Sequence, residues 1–115
     1  MKYEVLLGSV GGTSLQGYIN ATFDELFEEL GAPTYDEPSG DGKVDVEWCL
    51  RFEDGTLATI YNWKDYDNGV KCKSGGLYRW HIGGKSFNAV CHVIDLFSED
   101  ALMYKYHGTE ELSGV

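Results

Sequence analysis

The stretch that most constrains the fold is the unbroken alternation from Val44 to Phe52. Val44, Val46, Trp48, Leu50 and Phe52 fall on one face of a strand, while Asp45, Glu47, Cys49 and Arg51 fall on the other. Asp54-Gly55 follows as a type I′ hairpin signal, and Thr56 to Trp63 supplies the returning strand. Lys64 to Gly76 is then a polar excursion in which Asn68-Gly69 predicts a hairpin tip. Leu77 to Ile82 gives the next strand, with Tyr78, Trp80 and Ile82 on one face and Leu77, Arg79 and His81 on the other.

The flanking segments supply the helices. Thr22-Phe23-Asp24-Glu25 has the form of a capping box, Phe23, Leu26, Phe27 and Leu30 share one face, Gly31 sits where a helix ends, and Pro33 blocks continuation. Ser86 is placed to cap a second helix whose apolar side holds Ala89, Val90, Val93, Ile94 and Phe97. Before the first helix, Tyr3 to Leu7 is β-prone, Val10 to Ser14 reads as a turn, and Leu15 to Ile19 either returns as a second strand or stays irregular. Thr34 to Gly42 is an exposed linker loop, and from Ser98 the pattern weakens, with Ala101 to Tyr104 adding a turn or short strand. This order predicts an α+β fold. A single, mostly antiparallel sheet of about four or five strands carries both helices on one face, in one domain over residues 1–115 with a less regular segment at 98–115.

Composition narrows the function classes. The chain has no long apolar run, and Met1-Lys2-Tyr3-Glu4 lacks the features of a signal peptide, so a soluble, cytoplasmic protein is expected. Three cysteines at wide spacing (Cys49, Cys72, Cys91) argue against a disulfide framework. A metal site from Cys72, His81, Cys91 and His92 is disfavoured, because adjacent residues on a helix point about 100° apart. A net charge of −10 disfavours direct binding to nucleic acid or to an anionic membrane. The charge is unevenly spread. Residues 21–54 hold eleven acidic residues against Lys43 and Arg51, whereas in residues 64–85 Lys64, Lys71, Lys73, Arg79 and Lys85 outweigh Asp65 and Asp67.

Inside that basic window lies Trp80-His81-Ile82-Gly83-Gly84-Lys85-Ser86, a strand running into two glycines, a lysine and a helix cap. Such a corner can cradle an anion with glycine amides, a helix N-terminus and an ammonium. It is not a Walker A loop, because Arg79 stands where that motif needs a glycine. The plainer reading is that the glycines turn a tight corner and Ser86 caps the helix. Neighbouring polar residues favour a site: His81, Gly83, Gly84, Lys85 and Ser86 at the corner, Arg79 beside them, Asn62 and Lys64 ending the preceding strand, and Thr13, Gln16 and Tyr18 from the glycine-rich N-terminal stretch. With Tyr61, Trp63 or Trp80 offering a ring, this set suits a phosphorylated, base-bearing small molecule. The alternation supports at least two of Trp48, Trp63 and Trp80 as core. No nucleophile elbow, HExxH helix or catalytic Cys/His signature is present, so an enzyme is not expected, nor a cofactor.

Gly12 to Tyr18, Ala58 to Lys64 and Trp80 to Gly84 together resemble small bacteriophage-encoded proteins of unassigned function, over most of residues 12–97. The resemblance carries over no site residue. It implies a counter-defence factor in the host cytoplasm, which either sequesters a cyclic or other signalling nucleotide or occludes a host nuclease or defence protein. The first suits the basic corner. The second suits the carboxylates between Asp24 and Asp54, whose spaced negative charge can imitate a phosphate backbone. A homodimer is compatible with either, since small ligand-holding domains often complete a pocket across a two-fold axis.

Overall fold

In the computed structural model, which describes residues 1–97, seven elements follow one another: β1 (Tyr3–Val5), β2 (Ser14–Ala21), α1 (Phe23–Leu30), β3 (Glu47–Phe52), β4 (Leu57–Tyr61), β5 (Tyr78–Gly84) and α2 (Asn88–Asp95). The five strands form one antiparallel sheet in the order β1-β3-β4-β5-β2, and with its two helices the fold is α+β. The expected turn or strand at Ala101 to Tyr104, and the less regular segment at 98–115, lie outside the described residues.

One face of the sheet is the core. Ile19, Ala21, Trp48, Leu50, Phe52, Ala58, Ile60, Trp80 and Ile82 point into it and meet Leu26 and Leu30 of α1 and Ala89, Val90, Val93 and Ile94 of α2. The alternation in β3 and β5 therefore places Trp48 and Trp80 edge to face at 5.6 Å, inside the core, as read from sequence. Both indoles also satisfy their N–H groups, Trp48 on the Gly31 carbonyl (2.9 Å) and Trp80 on the Ala21 carbonyl (3.0 Å). That ties the end of α1 and the end of β2 to the sheet. The α1 capping box forms, with the Thr22 hydroxyl accepting from Glu25 N–H (3.0 Å) and the Glu25 carboxylate accepting from Thr22 N–H (2.9 Å).

Several local expectations are corrected. The alternating strand begins only at Glu47, because the Asn62 side-chain oxygen accepts from the N–H groups of Asp45 (2.7 Å) and Val46 (3.0 Å) and holds them out of the ladder. Asp45 is thus buried, accepting from Asn62 Nδ2 (2.9 Å) and Gly69 N–H (3.1 Å). At the hairpin, Gly55 has φ 89° but Asp54 has no positive φ, so the turn is not type I′. Gly55 N–H instead closes on the Phe52 carbonyl (2.8 Å), a turn followed by one left-handed glycine. Asn68 and Gly69 do both adopt positive φ (60° and 84°), yet no strand follows. A short helical turn does, with Lys73 N–H on the Gly69 carbonyl (3.2 Å), and the chain returns only at Tyr78. Ser86 is not the N-cap of α2, which is Phe87, although its hydroxyl accepts from Asn88 N–H (3.3 Å).

The uncertain stretch at Leu15 to Ile19 is a full strand, β2, on the edge of the sheet away from β1. Residues 6–13 must therefore cross from one edge to the other. They cross the helix-free face, where the Val10 amide lies beside the Cys49 thiol and Ser9 hydrogen-bonds the Tyr35 hydroxyl at 2.9 Å. Thr34 splices the β1 side, its hydroxyl donating to the Leu6 carbonyl (2.8 Å) and accepting from Cys49 N–H (2.9 Å).

Candidate functional site

The helix-free face divides into two rows. Under the crossing strap lie Cys49, Thr59 and Gly83, at successive register positions and buried. Beside it runs a second row, Glu47 opposite Tyr61, Tyr61 opposite His81 and His81 opposite Tyr18, which the strap leaves open. Tyr18 meets the His81 ring edge to face at 4.8 Å, Tyr61 lies 5.5 Å from it, and Trp63 6.1 Å. Arg79 lies over the Tyr18 ring at 4.1 Å and Lys64 over the Trp63 ring at 5.5 Å. The result is a half-exposed aromatic platform flanked by two cations, with Trp63, 38% exposed, at its rim.

Burial sets the electrostatics. His81 is held below its ordinary value by desolvation and by the neighbouring Arg79 charge, with Asp65 pulling weakly the other way. Its Nδ1 is buried without a hydrogen-bond partner among the described residues, which likewise disfavours the protonated ring. Desolvation raises the Glu47 carboxyl, and the Tyr61 hydroxyl rises through burial and then through the charge of Glu47. Beyond Glu47 the row opens into a cavity of about 300 Å³ lined by Ser9, Tyr35, Glu37, Pro38, Ser39, Val44 and Glu47. Another hollow, at the β1 edge, holds Arg51, but that guanidinium is spent on Glu4 at 2.6 Å.

Of the residues expected at a site, the structure brings Tyr18, Arg79 and His81 together on the open row, and Lys64 joins through Trp63. Gln16 stands at the strap end, donating to the Gly84 carbonyl (3.1 Å) and the Ser14 hydroxyl (3.2 Å). Thr13 ends the strap, where the stem of Lys85 lies against Gly12. Asn62 is wholly buried and consumed by Asp45, Val46 and Asp65, so it has nothing left for a ligand.

Gly83 and Gly84 are strand residues laddered to β4 and β2, and each is glycine for a packing reason. A Cβ on Gly83 would lie 2.5 Å from Thr59 Oγ1, and one on Gly84 would lie 2.4 Å from Ala89 Cβ. The two glycines therefore face opposite sides of the sheet rather than lining one cradle, and Ser86 lies on the exposed approach to α2. Glu47 completes the row, and Tyr61, read from sequence as one of three candidate rings, takes its place in it. The strand alternation signals their face, but their neighbours follow only from the register across four strands.

No protein-family model, curated protein or solved structure matches the chain. The fold and the site define its class, a small α+β protein with one helix-covered sheet face and one half-open aromatic face. Among the described residues, no helix is long and apolar enough to cross a membrane.

Proposed function

We propose that this protein is a non-enzymatic binding module that holds a small, planar anion, a nucleotide in chemical class, on the open row of its sheet. One observation carries the reading: Tyr18, Tyr61 and Trp63 cluster around His81 with Arg79 and Lys64 each set against a ring. A base stacked on an exposed ring gains about 1–3 kcal/mol, and flanking cations add charge-assisted contacts to phosphate. The site is thus moved from the Gly83–Ser86 corner to the neighbouring face, and the ligand class is kept. Together with the resemblance to small phage proteins, the activity is sequestration of a nucleotide immune signal, cyclic forms included, in the host cytoplasm.

Isothermal titration against a panel of linear and cyclic nucleotides tests this. Binding by at least one member is expected, weakened at least about tenfold by Trp63→Ala combined with Arg79→Ala, as loss of one stacking contact and one cation requires. No heat from any member, or unchanged affinity in that variant, would refute it. A second reading rests on the exposed carboxylates of Asp24, Glu25, Glu28 and Glu29 along α1, continued by Asp36, Glu37 and Asp41. It makes the protein an inhibitor of a host nucleic-acid-handling or defence protein. Charge reversal at Glu28, Glu29, Asp36 and Glu37 would then abolish inhibition, and its survival in that variant would sink the idea.

A further inference from the structure

A sheet has two edges, and this one treats them differently. At the β1 edge the strand is three residues long, Glu4 pairs with Arg51, and Lys2 and Glu53 stand alongside. Shortness and charge are the usual devices that stop an edge from pairing with another chain. The β2 edge has neither. It runs eight residues, Ser14–Ala21, and lies within a stretch from Val5 to Phe23 that holds no charged residue, in a protein of net charge −10. Its one irregularity is a bulge between Leu15 and Gly17, which leaves Gly17 to Ala21 in regular register with β5. Among the described residues, no backbone hydrogen bond reaches the outer side of β2.

We infer that the protein forms a two-fold homodimer by antiparallel pairing of β2 with β2 of a second copy. Charge confines a second copy to that edge. Two copies bearing ten net negative charges each repel one another over most of their surfaces, and the edge reached through Val5 to Phe23 is where they can meet without opposing like charges. Leu15, 47% exposed, is apolar surface on that edge. The pairing is isologous and closes on itself, because each copy's second edge is blocked. An axis beside Ile19 uses all of the regular segment and sets Tyr18 against Asn20. Antiparallel pairing requires that axis to be perpendicular to the sheet, so both copies present the same face. The two Glu47–Tyr61–His81–Tyr18 rows then lie on one face of a ten-stranded sheet, with Tyr18 of each copy against Asn20 of the other.

The test reads assembly without ligand. Light scattering after size exclusion, on the full chain at low and high micromolar concentration, is expected to move towards twice the 12.8 kDa chain mass. Amide exchange should slow at Gly17 to Ala21 as concentration rises. Asn20→Glu, its fold checked by circular dichroism, sets a carboxylate against Tyr18 of the second copy at the seam and should weaken the dimer at least about tenfold. A monomer at every concentration overturns the inference. So does a dimer with fast-exchanging β2 amides, and so do slow β2 amides in a monomer, which would mean that the chain covers its own edge. If Asn20→Glu does not fold, the concentration dependence of exchange in the unaltered chain decides alone.

Discussion

Substituting Gly84 by alanine tests whether the glycine pair is there for packing or for a ligand. The added Cβ would sit 2.4 Å from Ala89 Cβ and 3.2 Å from the Leu57 carbonyl oxygen. Carbon atoms pack at about 3.5–4.0 Å, so α2 must retreat from β5 by roughly an ångström. The buried side chains of Ala89, Val90, Val93 and Ile94 move with it. Overpacking of this kind costs about 1–3 kcal/mol, and each kcal/mol lowers Tm by roughly 4–8 °C in a domain of this size. Ala89→Gly alone costs up to about 1 kcal/mol through helix propensity, but it removes the opposing atom. Urea unfolding of the wild type, both single variants and the double variant closes the cycle. The penalty of Gly84→Ala should fall by at least half when residue 89 is glycine. If the two effects simply add, or if Gly84→Ala leaves stability unchanged and removes nucleotide binding, the packing account is wrong.

Three further outcomes are expected. Asn62→Ala strands the buried N–H groups of Asp45 and Val46 and should cost about 2–4 kcal/mol in denaturant unfolding, a loss that a surface asparagine would not show. The folded-state value of His81 lies below its ordinary 6.5, so the unfolded chain takes up the proton first. Its contribution to stability is therefore complete above pH 6.5 and shrinks as pH falls below that value, and a nuclear magnetic resonance titration of His81 should show a midpoint below 6.5. Burial pushes the Cys49 thiol up to about 11 and Cys72 up to about 12, while Cys91 is exposed on α2. An aromatic disulfide reagent should label one thiol rapidly in the native protein and three in denaturant, and three fast thiols in the native state would contradict this burial.

What the sequence made legible was whatever depended on period. The two-residue alternation in β3 and β5 placed Trp48 and Trp80 in the core and Arg79 and His81 on the far face, and the capping box at Thr22 located α1 to the residue. What it hid depended on contacts between segments distant in the chain. Asn62 reads as a polar strand end, and only the fold reveals it as the clasp that shortens β3 and anchors the 62–77 loop through Asp45 and Asp65. The Gly-Gly-Lys-Ser string suggests a corner because glycine usually signals freedom. Here it signals crowding from both sides, by Thr59 on one face and Ala89 on the other.

That crowding is also what separates the two halves of the helix-free face. Thr59 leans into the space left by the missing side chain of Gly83, so this row of the sheet is low, and the strap of residues 6–13 can lie close enough for Val10 to reach the Cys49 thiol. One register step away the row is built from Tyr61, His81 and Tyr18, whose rings stand too tall to be covered in the same way. The strap thus closes the half of the face that is short of side chains and leaves the half that is rich in rings. An aromatic surface left at the rim of its own cover, with Arg79 and Lys64 at its sides in a protein otherwise strongly acidic, is the feature on which the proposed binding role rests.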